Sequence, residues 1–223
     1  MKKRLSTWQK LLSYFFELKL ESVITEQNNE VEVWLQDGRL KLTTRNAIYS
    51  YEDRYRSFVR AFKDLKEHLP NVHEVLVLGF GLGSIPWILY KNHGLTPSII
   101  GVDHDPLLAE LYHRYYEADH VQVITADAAD YIKTDTGQYD LICIDLFKDA
   151  MVPNKFEHPQ FLEAVKARLK PGGWVLFNRL TMEQGLATAT RTFLEHTFSE
   201  VFPGAVYSET MGNWVLMGRK EWK

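Results

Sequence analysis

The chain has 223 residues, 45% of them hydrophobic and 25% charged, enough for a substantial core and too few for two ordinary domains with a linker. Its formal net charge is −3 with the cations scattered, so no broad electrostatic footprint for nucleic acid is expected, and no apolar run reaches the length of a membrane span. The single cysteine, Cys143, has no partner for an intrachain disulfide, which fits a reducing cytoplasm; inside its apolar run it reads as a small core residue.

The opening M-K-K-R-L-S-T-W has the basic start of a signal peptide, but Gln9, Lys10, Glu17 and Lys19 interrupt the apolar stretch such a segment needs. Ser6 is instead placed to cap a helix carrying Trp8, Leu11, Leu12, Phe15 and Phe16, whose apolar face is expected to pack on the body or on a partner subunit. The alternating runs V-E-V-W-L and R-L-K-L-T flank Gln36-Asp37-Gly38-Arg39, and Asp-Gly is a strong hairpin signal. Residues 1–50 are therefore read as a helix and β-hairpin extension ahead of one larger domain, 51–223. Tyr55, Phe58, Val59, Phe62 and Leu65 recur at helical spacing between Glu52 and Leu69, a helix ended by Pro70.

From Val72 onward strand and helix signals alternate. Strands are expected near 73–79, 98–103, 120–126, 140–145 and 174–178. Helices are expected from 84, from Pro106, from Asp127, over 158–169 and over 182–197, with a break at Lys170-Pro171-Gly172-Gly173. This repetition predicts an α/β fold with a mainly parallel sheet covered by helices on both faces. The closing segments V-F-P-G-A-V-Y-S and N-W-V-L-M-G-R are separated only by Glu209 to Gly212, too few residues for a crossover. They should pair antiparallel, with one reversed strand at the sheet's end.

The functional signal begins in Val75 to Ser84, V-L-V-L-G-F-G-L-G-S, where a buried-strand pattern runs into Gly79, Gly81 and Gly83. Such glycines let backbone approach a bound nucleoside, although Ser84 stands where a dinucleotide fingerprint has its last glycine. Asp103, Asp127 and Asp145 end three successive expected strands. In open α/β sheets ligands lie at the carboxyl ends of the strands, so the three carboxylates should meet the glycine loop in one crevice. Each alone also suits the cap of the following helix or turn. The eight histidines show no metal-ligand spacing, and no metal is expected.

Taken in order, Gly79 to Gly83, Gly101-Val102-Asp103, Ala126-Asp127-Ala128, Tyr139 to Asp145 and Leu169 to Gly173 resemble the successive motifs of class I S-adenosylmethionine-dependent methyltransferases. The resemblance implies a Rossmann-like methyltransferase fold, a mostly parallel seven-stranded sheet with one antiparallel strand. Asp37 to Arg45 and Tyr49-Ser50-Tyr51-Glu52-Asp53 resemble the hairpin and tyrosine motif of spermidine synthases, aminopropyltransferases built on the same core. By that resemblance Asp103 takes the ribose hydroxyls and Asp127 the adenine amino group, while Ala128 leaves room for the ring. The same resemblance implies that Asp145 orients or deprotonates the attacking amine, that Tyr51 contacts the substrate, and that the protein forms a homodimer. The segment F-K-D-A-M-V-P looks like the family's substrate gate, with Asp149 four residues after Asp145 where the family places its second aspartate three residues on.

Three positions depart from the spermidine synthase pattern: Leu82 replaces an acidic residue, Lys41 a glutamine and Glu52 a histidine. Losing an anion and gaining a cation disfavours an ammonium and suits a carboxylate. The reading is thus intact S-adenosylmethionine, with Lys41 near its carboxylate, and methyl transfer to a small molecule. Lys41 also alternates with leucines as a solvated hairpin face would. The alternatives are aminopropyl transfer from decarboxylated S-adenosylmethionine to a polyamine, and a noncatalytic binding module that has kept the fold.

Overall fold

The computed structural model describes residues 3–25, 27, 30–45, 47–116, 118–147 and 151–222. After helix α1 (Thr7–Leu12), strands β1 (Leu18–Val23), β2 (Val31–Gln36), β3 (Arg39–Thr44) and β4 (Ile48–Ser50) form an antiparallel sheet in chain order. The expected hairpin is β2–β3, turning through Asp37 and Gly38, both at positive φ as a type I′ turn requires. Strands β1 and β4, which flank that hairpin, extend the expected pair to four.

The expected helix over 52–69 is broken into a 3₁₀ turn (Glu52–Arg54), helix α2 (Arg56–Asp64) and a second 3₁₀ turn (Leu69–Asn71). The interruption at the start has a local cause: Glu52 sits at φ +35°, outside the helical region. The alternation that follows is β5 (Glu74–Leu78), α3 (Ser84–His93), β6 (Ser98–Asp103), α4 (Pro106–Tyr115), β7 (Val121–Thr125), α5 (Ala128–Thr134), β8 (Tyr139–Ile144), α6 (Pro159–Arg168) and β9 (Leu169–Leu180). The expected break at 170–173 is a bulge inside β9: pairing with β8 jumps from Tyr139↔Leu169 to Leu141↔Trp174, and Gly172 adopts φ +77°. Helix α7 (Gln184–Thr192) continues through a π-helical turn, Phe193–Phe198, into Ser199–Val201, and β10 (Val206–Thr210) and β11 (Asn213–Arg219) close the chain.

The large sheet has the order β10-β11-β9-β8-β5-β6-β7. Strand β11 runs antiparallel to both β9 and β10. The reversed strand therefore lies inside the sheet, and β10, not β11, is the edge. A short hairpin demands this antiparallel pairing, but β11 also finds a long partner in β9, whose seven paired positions outweigh an edge placement.

The sheet is covered on both faces. Along β5, Val75 and Val77 enter the cluster shared with α2, α3, α4 and the amino-terminal sheet, whereas Leu76 and Leu78 enter the cluster shared with α5, α6 and the π-helical turn Phe193–Phe198. That is why the parallel strands read as continuous apolar runs. Cys143 is fully buried in the first cluster and burial pushes its thiol well up, leaving it an inert packing residue. The two sheets meet at Ser84, whose Oγ lies 2.7 Å from Ser50 Oγ and accepts from the Tyr51 amide at 2.8 Å. The serine that replaces a third motif glycine is thus the attachment point of the extension. The chain proceeds from β5 toward β6 on one side and later from β8 toward β9 on the other, so the crevice at the β5/β8 carboxyl ends is the switch point where such folds hold ligands.

Candidate functional site

A cavity of about 310 Å³ opens at that switch point, and Gly79, Gly81, Asp103, Asp127, Ala128 and Asp145 all line it. Gly79 is demanded by close strand approach: it has φ +86°, and a Cβ there would stand 2.2 Å from the Asp145 carbonyl oxygen. Gly81 lies beneath the extension, its missing Cβ 3.3 Å from the Tyr49 carbonyl. Gly83 lies behind the loop, capping α3 and packing on Phe80 and Tyr112, so its role is in placing the helix.

Asp103 braces the loop. Its Oδ2 accepts from the Gly81 amide at 3.0 Å and its Oδ1 from the Asp105 amide at 3.1 Å. Burial raises its pKa, with those two amides opposing the rise. Asp127 caps α5, accepting from the Ala129 amide at 2.9 Å, and its other oxygen is paired with the Lys155 ammonium. Burial works upward on this carboxyl, but Lys155 and the helix amides outweigh it and hold it below the usual range. The capping role weighed from sequence and a position on the cavity wall therefore coexist in one residue.

Asp145 is different. Its Oδ1 accepts from Asn178 Nδ2 at 2.8 Å and from the Tyr55 hydroxyl at 3.3 Å. No cation pairs with it among the described residues, and burial raises its pKa to about 7 against the pull of those two hydrogen bonds. Asn178, fully buried on β9, is itself oriented by Asn213 on β11, whose Nδ2 donates to Asn178 Oδ1 at 3.0 Å. That bond fixes which end of the Asn178 amide faces Asp145. Both donors land on Oδ1, so Oδ2 has no protein donor among the described residues and is the oxygen left for a ligand. Burial and the neighbouring Asp145 hold the Tyr55 hydroxyl well above its usual pKa, so it remains a neutral donor.

Besides Gly83, two expected site residues lie off the cavity wall. Lys41 does not line the cavity; it is 8% exposed, with its ammonium 3.0 Å from Glu17 Oε1 and 2.8 Å from Gln36 Oε1. It therefore sits neither on a solvated face nor on the cavity wall. Tyr51 anchors the extension through its amide, while its ring faces Asp37 and the Lys41 ammonium. Asp149 lies outside the described residues. Tyr49 and Tyr55 line the cavity instead, and Asn178, Asn213 and Lys155 complete its surroundings without having been singled out from sequence. For Asn178 the available signal was a polar residue closing an apolar strand, V-L-F-N. Among the described residues no group of three or more His, Cys, Asp or Glu is placed to hold a metal, and no helix is long and apolar enough to cross a membrane.

Residues 75–173 match the model of a methyltransferase domain. The solved probable spermidine synthase of Corynebacterium glutamicum superposes with a TM-score of 0.72 over 90% of this chain and 79% of its own, at 18% identity. The chain has the class I methyltransferase fold and is similar in architecture to spermidine synthases. Human methyltransferase-like protein 13, solved in complex with SAH, is 27% identical with a TM-score of 0.57, covering 70% of this chain and 75% of its own. A probable polyamine aminopropyl transfer enzyme of Bifidobacterium longum is 27% identical over 59% of this chain and 29% of its own length. The chain spans less than three fifths of the length of each curated relative it matches.

The cavity chemistry fits an S-adenosylmethionine-type cofactor. The glycine loop offers backbone rather than side chains, Asp103 and Asp127 are acceptors along one wall, and Ala128 keeps that wall shallow. Of the departures from the spermidine synthase pattern, Leu82 is 1% exposed and packed in the core, outside the cavity lining. Glu52 is turned away too, accepting from the Leu40 amide and the Tyr116 hydroxyl, each at 2.8 Å; burial raises its pKa.

Proposed function

We propose that this protein transfers the methyl group of S-adenosylmethionine to a small-molecule nucleophile, with Asp145 receiving the nucleophile's proton or fixing its position. The observation that carries the reading is the Asp145 carboxyl itself, tied at Oδ1 by Asn178 and Tyr55, with no cation beside it and Oδ2 left for a ligand. The cofactor supplies an electrophilic methyl on a sulfonium. Asp103 and Asp127 hold its ribose and adenine, and Gly79 and Gly81 give the backbone cradle. The chain's remaining task is to place the nucleophile in line and exclude water, which suits a small cavity walled by Tyr49, Tyr55 and Phe156.

Asp145 in its ionised form accepts a proton from the attacking N–H or O–H through Oδ2. A group with a pKa of about 7 is well matched to this near neutrality. Transfer should rise with pH through about 7 and then level. Methyl transfer is preferred to aminopropyl transfer because Leu82 removes the carboxylate that the family's glycine loop would offer an ammonium, and its side chain faces the core. Lys41 adds nothing to this preference, since its ammonium is engaged by Glu17 and Gln36.

The second reading, aminopropyl transfer to a polyamine, is favoured by the similarity to the Bifidobacterium protein and by the overall architecture. The two reactions leave different nucleosides. Incubation with candidate amines and each form of the cofactor should yield S-adenosylhomocysteine; methylthioadenosine formed from the decarboxylated cofactor would reverse the order. Calorimetry with both cofactors gives the binding half of the same test, with the intact form expected to bind more tightly.

A further inference from the structure

A second cavity, of about 700 Å³, opens between the amino-terminal extension and helices α3 and α4, and no residue lines both it and the cofactor cavity. Its size lies in the range of small-molecule sites. Lys3, Arg4, Lys10, Arg39 and Lys91 bring five cations to its walls against two carboxylates, Glu52 and Asp53. The chain as a whole carries a net charge of −3, so this groove runs against the balance of the molecule.

Partners decide which of these charges are free. Arg39 is paired with Asp53 at 2.5 Å. Lys3 donates to the Leu20 carbonyl at 3.1 Å and lies 3.6 Å from Glu21. Glu52 is taken up by the Leu40 amide and the Tyr116 hydroxyl. Arg4, Lys10 and Lys91 remain, all exposed and none with a carboxylate partner among the described residues. A cleft lined by surplus charge of one sign concentrates the opposite sign.

The same groove has an aromatic wall. The half-buried rings of Trp87 and Tyr116 stand 5.4 Å apart between centroids, and the Lys91 ammonium lies 5.4 Å from the Trp87 ring. An indole partly open to the groove, with an ammonium beside it, offers a planar ligand a stacking surface and its charged groups a counter-ion.

We propose that this groove is a second binding site, for a nucleoside triphosphate, with the base on Trp87 and the phosphates held by Arg4, Lys10 and Lys91. Arginine and lysine are the side chains that hold phosphate best. An inorganic phosphate would leave the aromatic wall unused, and an uncharged ring would leave the three cations unpaired. The site does not depend on which group the cofactor cavity transfers.

The test is calorimetric titration with ATP of protein saturated with S-adenosylhomocysteine, which closes the adenosine cavity to the nucleotide. A single ATP should bind per chain, more weakly as salt is raised. The triple substitution Arg4→Gln, Lys10→Gln, Lys91→Gln should weaken ATP roughly tenfold or more, with circular dichroism and S-adenosylhomocysteine affinity unchanged. Inorganic triphosphate should bind the wild-type protein about tenfold more weakly than ATP, because it lacks the stacking base. No binding at millimolar ATP, or an ATP affinity that the triple substitution leaves unmoved, overturns the proposal. Inorganic triphosphate binding as tightly as ATP overturns it too, since the aromatic wall would then recognise nothing.

Discussion

Two charged residues on opposite sides of the Ser50–Ser84 junction, Asp145 at the sheet rim and Lys41 in the extension, are treated in contrary ways. Lys41 is enclosed and fully compensated, with Glu17 and Gln36 on its ammonium, and its neighbours follow suit: Arg39 is paired with Asp53 at 2.5 Å and Arg114 with Glu21 at 2.6 Å. Asp145 is enclosed by neutral donors alone. Pairing makes a charge structural, whereas a buried charge left without a counter-ion has its protonation poised near neutrality and is available for chemistry. The extension is thus a scaffold held by ion pairs, and the rim is where the protein tolerates an electrostatic cost.

The largest effect should come from Asp145→Asn. Transfer is expected to fall by roughly 10²–10⁴-fold, the range for loss of a general base, with cofactor affinity by calorimetry nearly unchanged. The stability sign is opposite. Because the folded pKa is raised to about 7, the wild-type carboxyl gives up stability as pH climbs from the unfolded value near 4 through 7. The asparagine variant should therefore gain relative to wild type in thermal unfolding at pH 8 and less at pH 5. A gain at pH 5 that vanishes at pH 8 would contradict the burial account.

Gly79→Ala comes next and attacks the backbone on which the rim stands. With φ at +86° and the Asp145 carbonyl 2.2 Å from the added carbon, β5 and β8 must separate, at a cost of about 2–4 kcal/mol in urea unfolding. A cost within experimental error would mean that the rim is softer than its packing implies.

Asn178→Ala sharpens the comparison by leaving the acid and removing its donor. We expect kcat to fall about tenfold with little change in KM, and the pH–rate limb to move upward, since Asn178 holds the Asp145 pKa down. Asn178→Gln should recover part of the limb position if the amide acts by hydrogen bonding to Oδ1. Equal losses from both variants with an unmoved limb would reduce Asn178 to packing.

The smallest effect is expected on the other side of the junction. Lys41→Met should cost less than about 1 kcal/mol, because its partner Glu17 is about half exposed and resolvates when the lysine is removed. It should leave cofactor affinity unchanged. A tenfold weaker titration with S-adenosylmethionine would place the ammonium at the ligand after all and break the contrast drawn above.

Much of the rim was legible because its signals are local. The run Val75–Leu78 into Gly79, and aspartates at the ends of neighbouring strands, are short-range patterns that a parallel sheet brings together by rule. What was hidden depends on register between distant segments. Tyr55, Asn178 and Asn213 meet Asp145 only through the β8–β9 and β9–β11 pairings, which no spacing in the chain reveals. Tyr51 drew attention through its motif while Tyr55, four residues on, reached the carboxyl, because the 3₁₀ turn at Glu52 redirects the chain between them. In the extension, β1 escaped notice because L-K-L-E-S-V buries neither side fully and so lacks a clean alternation. The leader helix was expected to carry Phe15 and Phe16 as well, but α1 ends at Leu12, and periodicity alone does not say which face is turned to the body.

The most direct test is a carbon-13 titration of the Asp145 carboxyl, assigned by comparison with Asp145→Asn. The account predicts a midpoint near 7, displaced upward in Asn178→Ala. A midpoint near 4, in the range of an exposed aspartate, would contradict it, because it would show that the carboxyl is solvated or paired and has no special standing at the rim.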